Sequence, residues 1–385
     1  MSNSVFSNLP TTIFEVMSGL ARRHQAVNLG QGFPDHNGPE DLRAAAADAL
    51  LNGWNQYPPM AGIPELRAAV ATHYRHWQGL DITADQVTVT AGATEALAAA
   101  LFGLIEPGDE VVLFQPLYDA YAPLVRRAGG VPRFVTLAPP DWRLTEEGLS
   151  RAITPKTKLV LFNNPHNPAA VVFDDHQLTL LAEACVRHDL IAICDEVWEH
   201  VVFDGRRHRP LMSFPGMAER CVKIGSAGKV FSLTGWKVGW MLAPPRLVPA
   251  IAKAHQFLTF TVAPATQAAV AYGLGKPDDS FEAMRGEYQH GRHRLTAGLR
   301  AAGFATLPSA GTYFLNVDLR QSGIALGDAE FCLRAVEEAG VAAIPVSAFY
   351  VENAPTHVIR LCFAKTDATL DEGVERLVRA RSQIA

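Results

Sequence analysis

The most informative stretch of the chain is Cys221-Val-Lys-Ile-Gly-Ser226-Ala-Gly-Lys229-Val-Phe-Ser-Leu-Thr-Gly-Trp-Lys237-Val-Gly-Trp240, where a short apolar strand runs into a loop of small residues. Lys229 lies in this loop, and a primary amine there could form a Schiff base with a carbonyl. Glycines let a ligand approach the backbone closely, and Ser226 and Lys237 are suited to hold an anion beside the lysine. A lone Ser-x-x-Lys pattern also fits a solvated surface lysine, so the rest of the chain must decide.

Five further short apolar strands precede this one, and segments with helical periodicity separate them. The six strands are predicted over residues 87–90, 111–114, 133–137, 159–162, 191–194 and 221–224. This alternation is typical of an α/β fold in which helices cover both faces of a mainly parallel sheet. Such sheets bind ligands at the carboxyl ends of their strands, and the candidate site residues of this chain follow those ends.

The pattern changes in the last third of the chain. Its predicted elements are a long helix over 280–302 and strands over 313–317 and 358–363. We therefore expect a large ligand-binding domain over residues 46–280 and a smaller α/β domain over 281–385. Residues 1–45 carry too little periodicity to fold alone, and we expect them to pack on the small domain.

Composition excludes several classes of function. The 385 residues are 48% hydrophobic and 19% charged, which is a globular composition and argues against disorder or a membrane partner. A formal net charge of −5 with scattered arginines gives no basic surface for nucleic acid. The five cysteines lack metal-ligand spacing, so no metal is predicted, and they are typical of buried thiols in a reducing compartment. The N-terminus shows no secretory signal, and we expect a cytoplasmic protein.

Asp195 directly follows Leu190-Ile-Ala-Ile-Cys194, a strand apolar enough to be buried on both faces. A carboxylate there is costly unless a cation pairs with it, and a protonated ring nitrogen would be such a cation. A buried aspartate that caps a helix or binds backbone amides would explain the residue as well. We expect the neighbouring Glu196 and Glu199 to face solvent or the domain edge.

Three further segments place polar or aromatic groups at strand ends. Ala91-Gly-Ala-Thr94 joins a strand to a helix whose free amides would bind phosphate, although it also fits an ordinary turn with a threonine cap. Asn163-Asn-Pro-His-Asn167-Pro168 would direct the Asn167 amide at a ligand oxygen, or form a tight loop. Tyr118 could stack on a planar ring or simply pack.

Arg360 lies in the middle of the apolar strand predicted over 358–363. A guanidinium in such a position should have a carboxylate partner that accepts two hydrogen bonds. The sequence leaves open whether that partner is a structural acid of the protein or the carboxylate of a substrate.

With these residues assembled, the chain resembles the fold-type I pyridoxal-phosphate aminotransferases over nearly its full length, in particular the kynurenine and methionine aminotransferase branch. The resemblance rests on six motifs in order: Asn28-Leu-Gly-Gln-Gly-Phe-Pro-Asp35, residues 57–62, the Asn-Pro-His-Asn-Pro turn, Asp195-Glu-Val-Trp-Glu199, the lysine loop and Ile344-Pro-Val-Ser-Ala-Phe-Tyr350. It implies a seven-stranded, mainly parallel sheet, pyridoxal 5'-phosphate as cofactor and a homodimer.

The resemblance also implies roles for individual residues around the cofactor. The Schiff-base lysine falls on Lys229, and the partner of the pyridine nitrogen falls on Asp195. Tyr118 would stack on the ring. The phosphate site falls on Gly92, Ala93, Thr94, Ser226 and Lys237, with Tyr57 reaching across from the partner subunit.

The remaining assignments concern the ring's phenolic oxygen and the substrate. Asn167 would bond that oxygen, and Arg360, Asn167 and the backbone at Gly32 would bind the substrate α-carboxylate. The chain departs from the family at Trp198, where a tyrosine hydroxyl usually bonds the same oxygen. Because an indole N–H can only donate, we expect Asn167 to carry more of this role, or Trp198 to pack under the ring.

The implied activity is transamination between an amino acid and a 2-oxo acid by a ping-pong mechanism, with Lys229 moving the α-proton as general base and acid. No second arginine is assigned to a side-chain carboxylate. The candidate apolar walls are Phe14, Phe33, Phe260, Tyr313 and Phe349. This pattern favours neutral donors such as methionine, phenylalanine, kynurenine or glutamine.

Two alternatives use the same resemblance. The first is β-elimination from cysteine conjugates, which the same lysine can perform when the substrate carries a leaving group on its β-carbon. The second is a ligand-sensing regulator built on an aminotransferase-like domain. That class requires an N-terminal DNA-binding module, and residues 1–45 show no helix-turn-helix pattern.

Overall fold

The computed structural model describes residues 3–384, and the helices and strands of this part of the chain alternate as expected of an α/β protein. The strands are β1 (Val27–Asn28), β2 (Val87–Thr90), β3 (Glu110–Gln115), β4 (Val131–Thr136), β5 (Thr157–Asn163), β6 (Ile191–Asp195), β7 (Cys221–Ser226), β8 (Gly239–Leu242), β9 (Ala305–Thr306), β10 (Phe314–Asp318), β11 (Val341–Ala342), β12 (Ile344–Pro345) and β13 (Val358–Cys362). The helices are α1 (Ser4–Ser7), α2 (Ile13–Arg23), α3 (Glu40–Asn52), α4 (Pro64–Gln78), α5 (Gly92–Leu104), α6 (Tyr121–Arg127), α7 (Glu146–Ala152), α8 (Asp175–Arg187), α9 (Ala227–Val230), α10 (Val248–Leu258), α11 (Pro264–Leu274), α12 (Asp278–Ala301), α13 (Asp328–Ala339) and α14 (Asp367–Ile384).

Seven strands form one sheet in the order β2-β8-β7-β6-β5-β3-β4. Strand β8 runs antiparallel to both of its neighbours, and the remaining pairs are parallel. The six predicted strands are confirmed, and so is the seven-stranded, mainly parallel sheet. Strand β8 was not predicted, because its four residues directly follow the lysine loop and give no separate apolar run.

Both faces of the sheet are buried. Along β3, Val111 and Leu113 belong to one hydrophobic cluster, while Val112 and Phe114 belong to the other. Helices α5 and α6 contribute to the first cluster, and α4 and α8 contribute to the second. Since side chains alternate along a strand, this division places helices on both sides of the sheet, as predicted.

The C-terminal part contains a second, antiparallel sheet in the order β12-β13-β10-β9. The predicted long helix is α12, and the two predicted strands are β10 and β13. Strand β1 pairs in parallel with β11, which joins the N-terminal segment to this part of the chain. The domain boundaries at residues 45 and 280 stay a prediction. Within residues 3–384, none of the helices combines the length and apolar character that crossing a membrane requires.

Candidate active site

One pocket of about 280 Å³ lies at the carboxyl ends of the parallel strands and reaches β13 of the second sheet. Almost all of the predicted site residues line it. They are Gly32, Gly92, Ala93, Thr94, Tyr118, Asn167, Asp195, Trp198, Ser226, Lys229, Lys237 and Arg360. Tyr57 is not part of this lining, and its side chain is 80% exposed in the single chain.

The part of the pocket beside the N-terminus of α5 is suited to an anion. Helix α5 begins at Gly92, two residues after β2 ends, and the positive φ of 77° at Gly92 makes this abrupt change of direction possible. A Cβ atom added at Gly92 would lie 3.2 Å from Lys237 Nζ, so the ammonium sits directly over the helix N-terminus. Free amides, the helix dipole and this ammonium all favour a phosphate group.

Asp195 forms the buried floor of the pocket and is 6% exposed. Tyr121 donates a hydrogen bond of 2.6 Å from its hydroxyl to Oδ2, and the Val197 amide lies 3.5 Å from Oδ1. Burial raises the pKa of Asp195 above its ordinary value. Within residues 3–384, no cationic group forms an ion pair with this carboxylate. A positively charged atom of a ligand would satisfy it.

Lys229 lines the pocket from α9, the short helix that follows β7. Its Nζ is 2.8 Å from the Tyr313 hydroxyl and lies 4.6 Å from the centre of the Trp198 ring. Burial lowers the pKa of Lys229 to about 8. A half-buried amine with a lowered pKa is suited to act as a nucleophile and as a base near neutral pH.

Arg360 on β13 lines the same pocket and is 1% exposed. Its Nη1 donates a hydrogen bond of 2.8 Å to Asn167 Oδ1, and its Nη2 donates one of 3.3 Å to the Gly30 carbonyl. The guanidinium carbon lies 3.8 Å from the centre of the Phe314 ring. Burial lowers the pKa of Arg360 to about 10. The described residues supply neutral hydrogen-bond acceptors but no carboxylate, so a carboxylate ligand would complete the site.

The expectation for Glu196 and Glu199 is wrong, because both are buried, at 1% and 4% exposure. Lys223 on β7, fully buried, donates to Glu196 and lies 2.7 Å from Glu199 Oε2. His208 adds a contact of 3.1 Å to Glu196. Glu196, Glu199 and His208 are close enough together to bind a metal ion, but the Lys223 ammonium contacts both carboxylates. We call these four side chains the Lys223 cluster.

The predicted apolar walls divide into two groups. Phe14 lines the pocket, Phe349 packs behind it at a ring distance of 5.6 Å, and Tyr313 contacts Lys229. Phe33 and Phe260 are 45% and 42% exposed and do not line the pocket of this chain. Phe260 instead packs against Tyr57, at a ring distance of 5.4 Å.

Sequence reasoning missed several contributors to the pocket, among them Tyr121 and Phe314, and it missed the contact between Tyr313 and Lys229. Tyr121 follows Tyr118 by three residues and therefore lies near it, which was the only available signal. Phe314 adjoins Tyr313, and it lies under Arg360 because β10 pairs with β13. The Tyr313 hydroxyl gave no sequence signal of its contact with Lys229, because the two residues are 84 positions apart.

The arrangement combines four chemical capacities in one cavity. It offers an anion site at the N-terminus of α5, a buried carboxylate suited to a cation, an amine suited to carbonyl chemistry, and a guanidinium suited to a carboxylate. These are the requirements for holding a phosphorylated, ring-containing aldehyde beside an amino acid.

Comparisons with known proteins point to the same chemistry. The family model "Aminotransferase class I and II" matches residues 24–377. The probable N-succinyldiaminopimelate aminotransferase of Mycobacterium tuberculosis is 45% identical over 95% of each chain. The kynurenine–oxoglutarate transaminase of Dictyostelium discoideum is 35% identical over 97% of this chain and 95% of its own. A crystal structure from Escherichia coli, identified as having a methionine aminotransferase function, has a TM-score of 0.95 at 41% identity, with 98% of this chain and 99% of that chain covered.

Proposed function

This chain belongs to the class I and II aminotransferases, and we propose that it moves the amino group of a neutral L-amino acid to a 2-oxo acid in a ping-pong cycle. Members of this family use pyridoxal phosphate. One observation carries the proposal: Asp195, Lys229 and Arg360 line a single pocket, and within residues 3–384 neither the buried carboxylate nor the buried guanidinium forms an ion pair.

The pocket residues fit the cofactor. The phosphate group would bind at the N-terminus of α5, held by Gly92, Ala93, Thr94, Ser226 and Lys237. Asp195 would bind the ring nitrogen, Tyr118 would cover one face of the ring, and Asn167 would donate its free amide nitrogen to the phenolic oxygen. When bound, the cofactor supplies an electron sink for the bonds of the substrate α-carbon.

The chain's own residues then have distinct tasks. Arg360 and Asn167, with the backbone at Gly32, hold the substrate α-carboxylate, which fixes the α-carbon relative to Lys229. Lys229 Nζ removes the α-proton, and its lowered pKa leaves part of the amine unprotonated near neutral pH. The buried carboxylate of Asp195 would hold the ring nitrogen of a bound cofactor in its positively charged form.

The family usually has tyrosine at the position of Trp198. The contacts of Trp198 support the alternative in which this side chain packs and does not bond the phenolic oxygen. Its ring is perpendicular to that of Tyr313, at 4.4 Å, and its face is turned towards Lys229 Nζ. A protonated Lys229 is attracted to this face, because aromatic faces are electron-rich. Asn167 is then left as the donor to the phenolic oxygen.

A neutral donor is favoured by the charges of the pocket. Lys229, Lys237 and Arg360 are the cationic side chains among the described lining residues, and each has a task in binding cofactor or substrate. Phe14 and Phe314 add apolar surface beside Arg360. Methionine, aromatic amino acids, kynurenine and glutamine fit this environment, whereas a distal carboxylate would need a further cation.

The test is a visible absorbance spectrum of the purified protein during titration with neutral and acidic amino acids. We expect a visible cofactor band that fades with methionine or an aromatic donor, returns with a 2-oxo acid, and does not respond in this way in Lys229→Ala. Release of pyruvate and ammonia from a cysteine conjugate, without amino transfer, would instead identify a β-lyase. A protein that binds no pyridoxal phosphate would overturn the proposal.

Two further parts of the proposal concern assembly and location. Trp54, Tyr57 and Phe257 are 72%, 80% and 83% exposed, which is unusual for large aromatic side chains, and we place them in a homodimer interface. The five cysteines are buried free thiols, which supports a reducing compartment such as the cytoplasm.

A further inference from the structure

The Tyr313 hydroxyl occupies a particular position between two groups of the candidate site. It is 2.8 Å from Lys229 Nζ, and it donates a hydrogen bond to the carbonyl of Gly32. Tyr313 is 1% exposed, so water does not compete for these contacts. Among residues 3–384, this is the only hydrogen bond that Lys229 Nζ makes.

The direction of the two hydrogen bonds follows from proton counting. A tyrosine hydroxyl has one proton, and a carbonyl oxygen can only accept. Because that proton is given to Gly32, the oxygen of Tyr313 must accept an N–H from Lys229. An unprotonated Lys229 therefore uses an N–H to bind Tyr313 and keeps its lone pair free to take a proton.

We infer that Tyr313 is a positioning residue. Its oxygen holds the free amine of Lys229 in place while that amine acts as the base, and its hydroxyl proton links this pair to the Gly32 backbone. The inference rests on the proposed role of Lys229. It adds Tyr313 to the candidate site as a residue that acts through Lys229. Tyr313 itself need not contact the reacting atoms.

The surroundings of Lys229 leave few other means of fixing the amine. The face of Trp198 lies 4.6 Å away but offers no acceptor atom for a directed hydrogen bond. The titratable or charged groups that act on Lys229 are Asp195 on β6, Lys237 beyond α9, and Arg360 and Cys362 on β13. None of these four makes a hydrogen bond to its Nζ in the described part of the chain.

The first test follows Lys229 in the full-length protein from which cofactor has been removed, with far-UV circular dichroism as a check of folding. The rate at which fluorodinitrobenzene modifies Lys229 is measured by peptide mass spectrometry from pH 6 to 10. A hydroxyl oxygen stabilises an ammonium more than an amine, so Tyr313→Phe should lower the apparent pKa of Lys229 by about half a unit to one unit. A profile identical to wild type would overturn the inference.

Tyr288→Phe is the matched control, because Tyr288 is also buried and lies beside Tyr313, at a ring distance of 5.7 Å, but its hydroxyl binds Ser232. This variant should leave the pH profile of Lys229 unchanged. An equal shift in both variants would show a general packing effect and would also overturn the inference.

The second test measures α-proton removal in the loaded enzyme with an α-deuterated donor. We expect Tyr313→Phe to slow this step about tenfold and to increase the isotope effect, with KM changed less than about twofold. An unchanged rate of proton removal contradicts a positioning role. If the wild type transaminates no donor, the proposed function fails separately, and the titration of Lys229 still decides the role of Tyr313.

Discussion

At the scale of single residues, the candidate site is marked by two buried charged groups that form no ion pair within the described part of the chain. Asp195 and Arg360 are each at least nine-tenths buried, and the hydrogen bonds they make are with neutral groups. Burying a charge without an opposite charge is costly, so such residues are rare in a structural core. A ligand that brings the missing charges would offset this cost, and this is why we propose both residues as part of the binding site.

The first prediction concerns Arg360→Lys. Lysine keeps the positive charge but cannot give two parallel hydrogen bonds to one carboxylate. We expect the dissociation constant for 3-phenylpropionate, which has a carboxylate and an aromatic ring but no amino group, to rise about 10- to 100-fold. Isothermal titration calorimetry measures it directly.

Arg334→Lys serves as the control, since Arg334 is partly exposed and pairs with Glu338 within α13. It should leave the affinity for the carboxylate unchanged. Wild-type affinity in Arg360→Lys would show that the substrate carboxylate binds elsewhere in the pocket.

At the scale of secondary-structure elements, the sequence predicts those strands that a local apolar run specifies. The six strands predicted from apolar runs lie in the sheet, and residues at or after the ends of five of them line one pocket, because parallel strands bring their carboxyl ends to one edge. Strand β8 was missed, since a glycine and three apolar residues directly after a glycine-rich loop carry no separate periodicity. Pairing with β2 and β7 makes it a strand, and pairing is not visible in the sequence.

The Lys223 cluster shows the same limit. Glu196 and Glu199 were expected to face solvent or the domain edge, and glutamates are rarely buried without a partner. Their partner lies on the neighbouring strand, where Cys194 pairs with Lys223 in the register of β6 and β7. Burial alone would lower the pKa of Lys223, but the two carboxylates raise it above its ordinary value, so the ammonium stays charged. Charge compensation across a sheet is a tertiary feature.

The second prediction concerns this cluster. Lys223→Met removes the ammonium and leaves two buried carboxylates facing each other, so the free energy of unfolding should fall by about 3–5 kcal/mol. Replacing Glu196 and Glu199 by Gln in the same chain removes the uncompensated charges and should restore most of the loss. Urea unfolding at fixed protein concentration measures both changes.

Lys158→Met is the comparison, because Lys158 forms a partly exposed pair with Asp109 at 3.0 Å. The expected loss there is at most about 1 kcal/mol. A loss of similar size in the two methionine variants would mean that the Lys223 cluster is no more important for stability than a surface pair.

At the scale of the whole molecule, buried histidines link stability to pH. Burial lowers the pKa of His73 to about 4 and those of His166 and His200 to about 3. The unfolded chain takes up these protons near pH 6.5, so it binds more protons than the folded chain and stability is lost as the pH falls below 6.5. Burial alone would lower the pKa of His255, but its bond to Glu95 raises it and gives an opposite, smaller contribution.

The third prediction isolates His166, whose pKa is lowered by burial alone. Between pH 7.5 and 5.5, each such histidine should reduce the free energy of unfolding by about 1.4 kcal/mol. His166→Leu should reduce the pH dependence of the urea midpoint by the contribution of one histidine. This holds whatever the substitution does to stability at pH 7.5. His176→Gln, at an exposed position, should leave the pH dependence as in wild type. An unaltered slope in His166→Leu would contradict the assignment.

The last prediction concerns Tyr57 and the assembly of two chains. Tyr57 lies outside the pocket of its own chain and is exposed together with Phe260, which packs against it. If Tyr57 completes the phosphate site of the partner subunit, each active site needs Lys229 from one chain and Tyr57 from the other. Lys229→Ala homodimers should then be inactive, and Tyr57→Ala homodimers should lose about tenfold in kcat/KM at limiting cofactor.

Mixed dimers of the two variants, purified through two different tags after co-expression, distinguish the possibilities. One of their two sites combines Lys229 of the Tyr57→Ala chain with Tyr57 of the Lys229→Ala chain, and that site is intact. We therefore expect about half of the wild-type activity per dimer, well above the mean of the two parent proteins, since a site shared between subunits is restored by mixing. If Tyr57 served its own chain, mixing would give only that mean. A protein that is active as a monomer in analytical ultracentrifugation would rule out the shared site altogether.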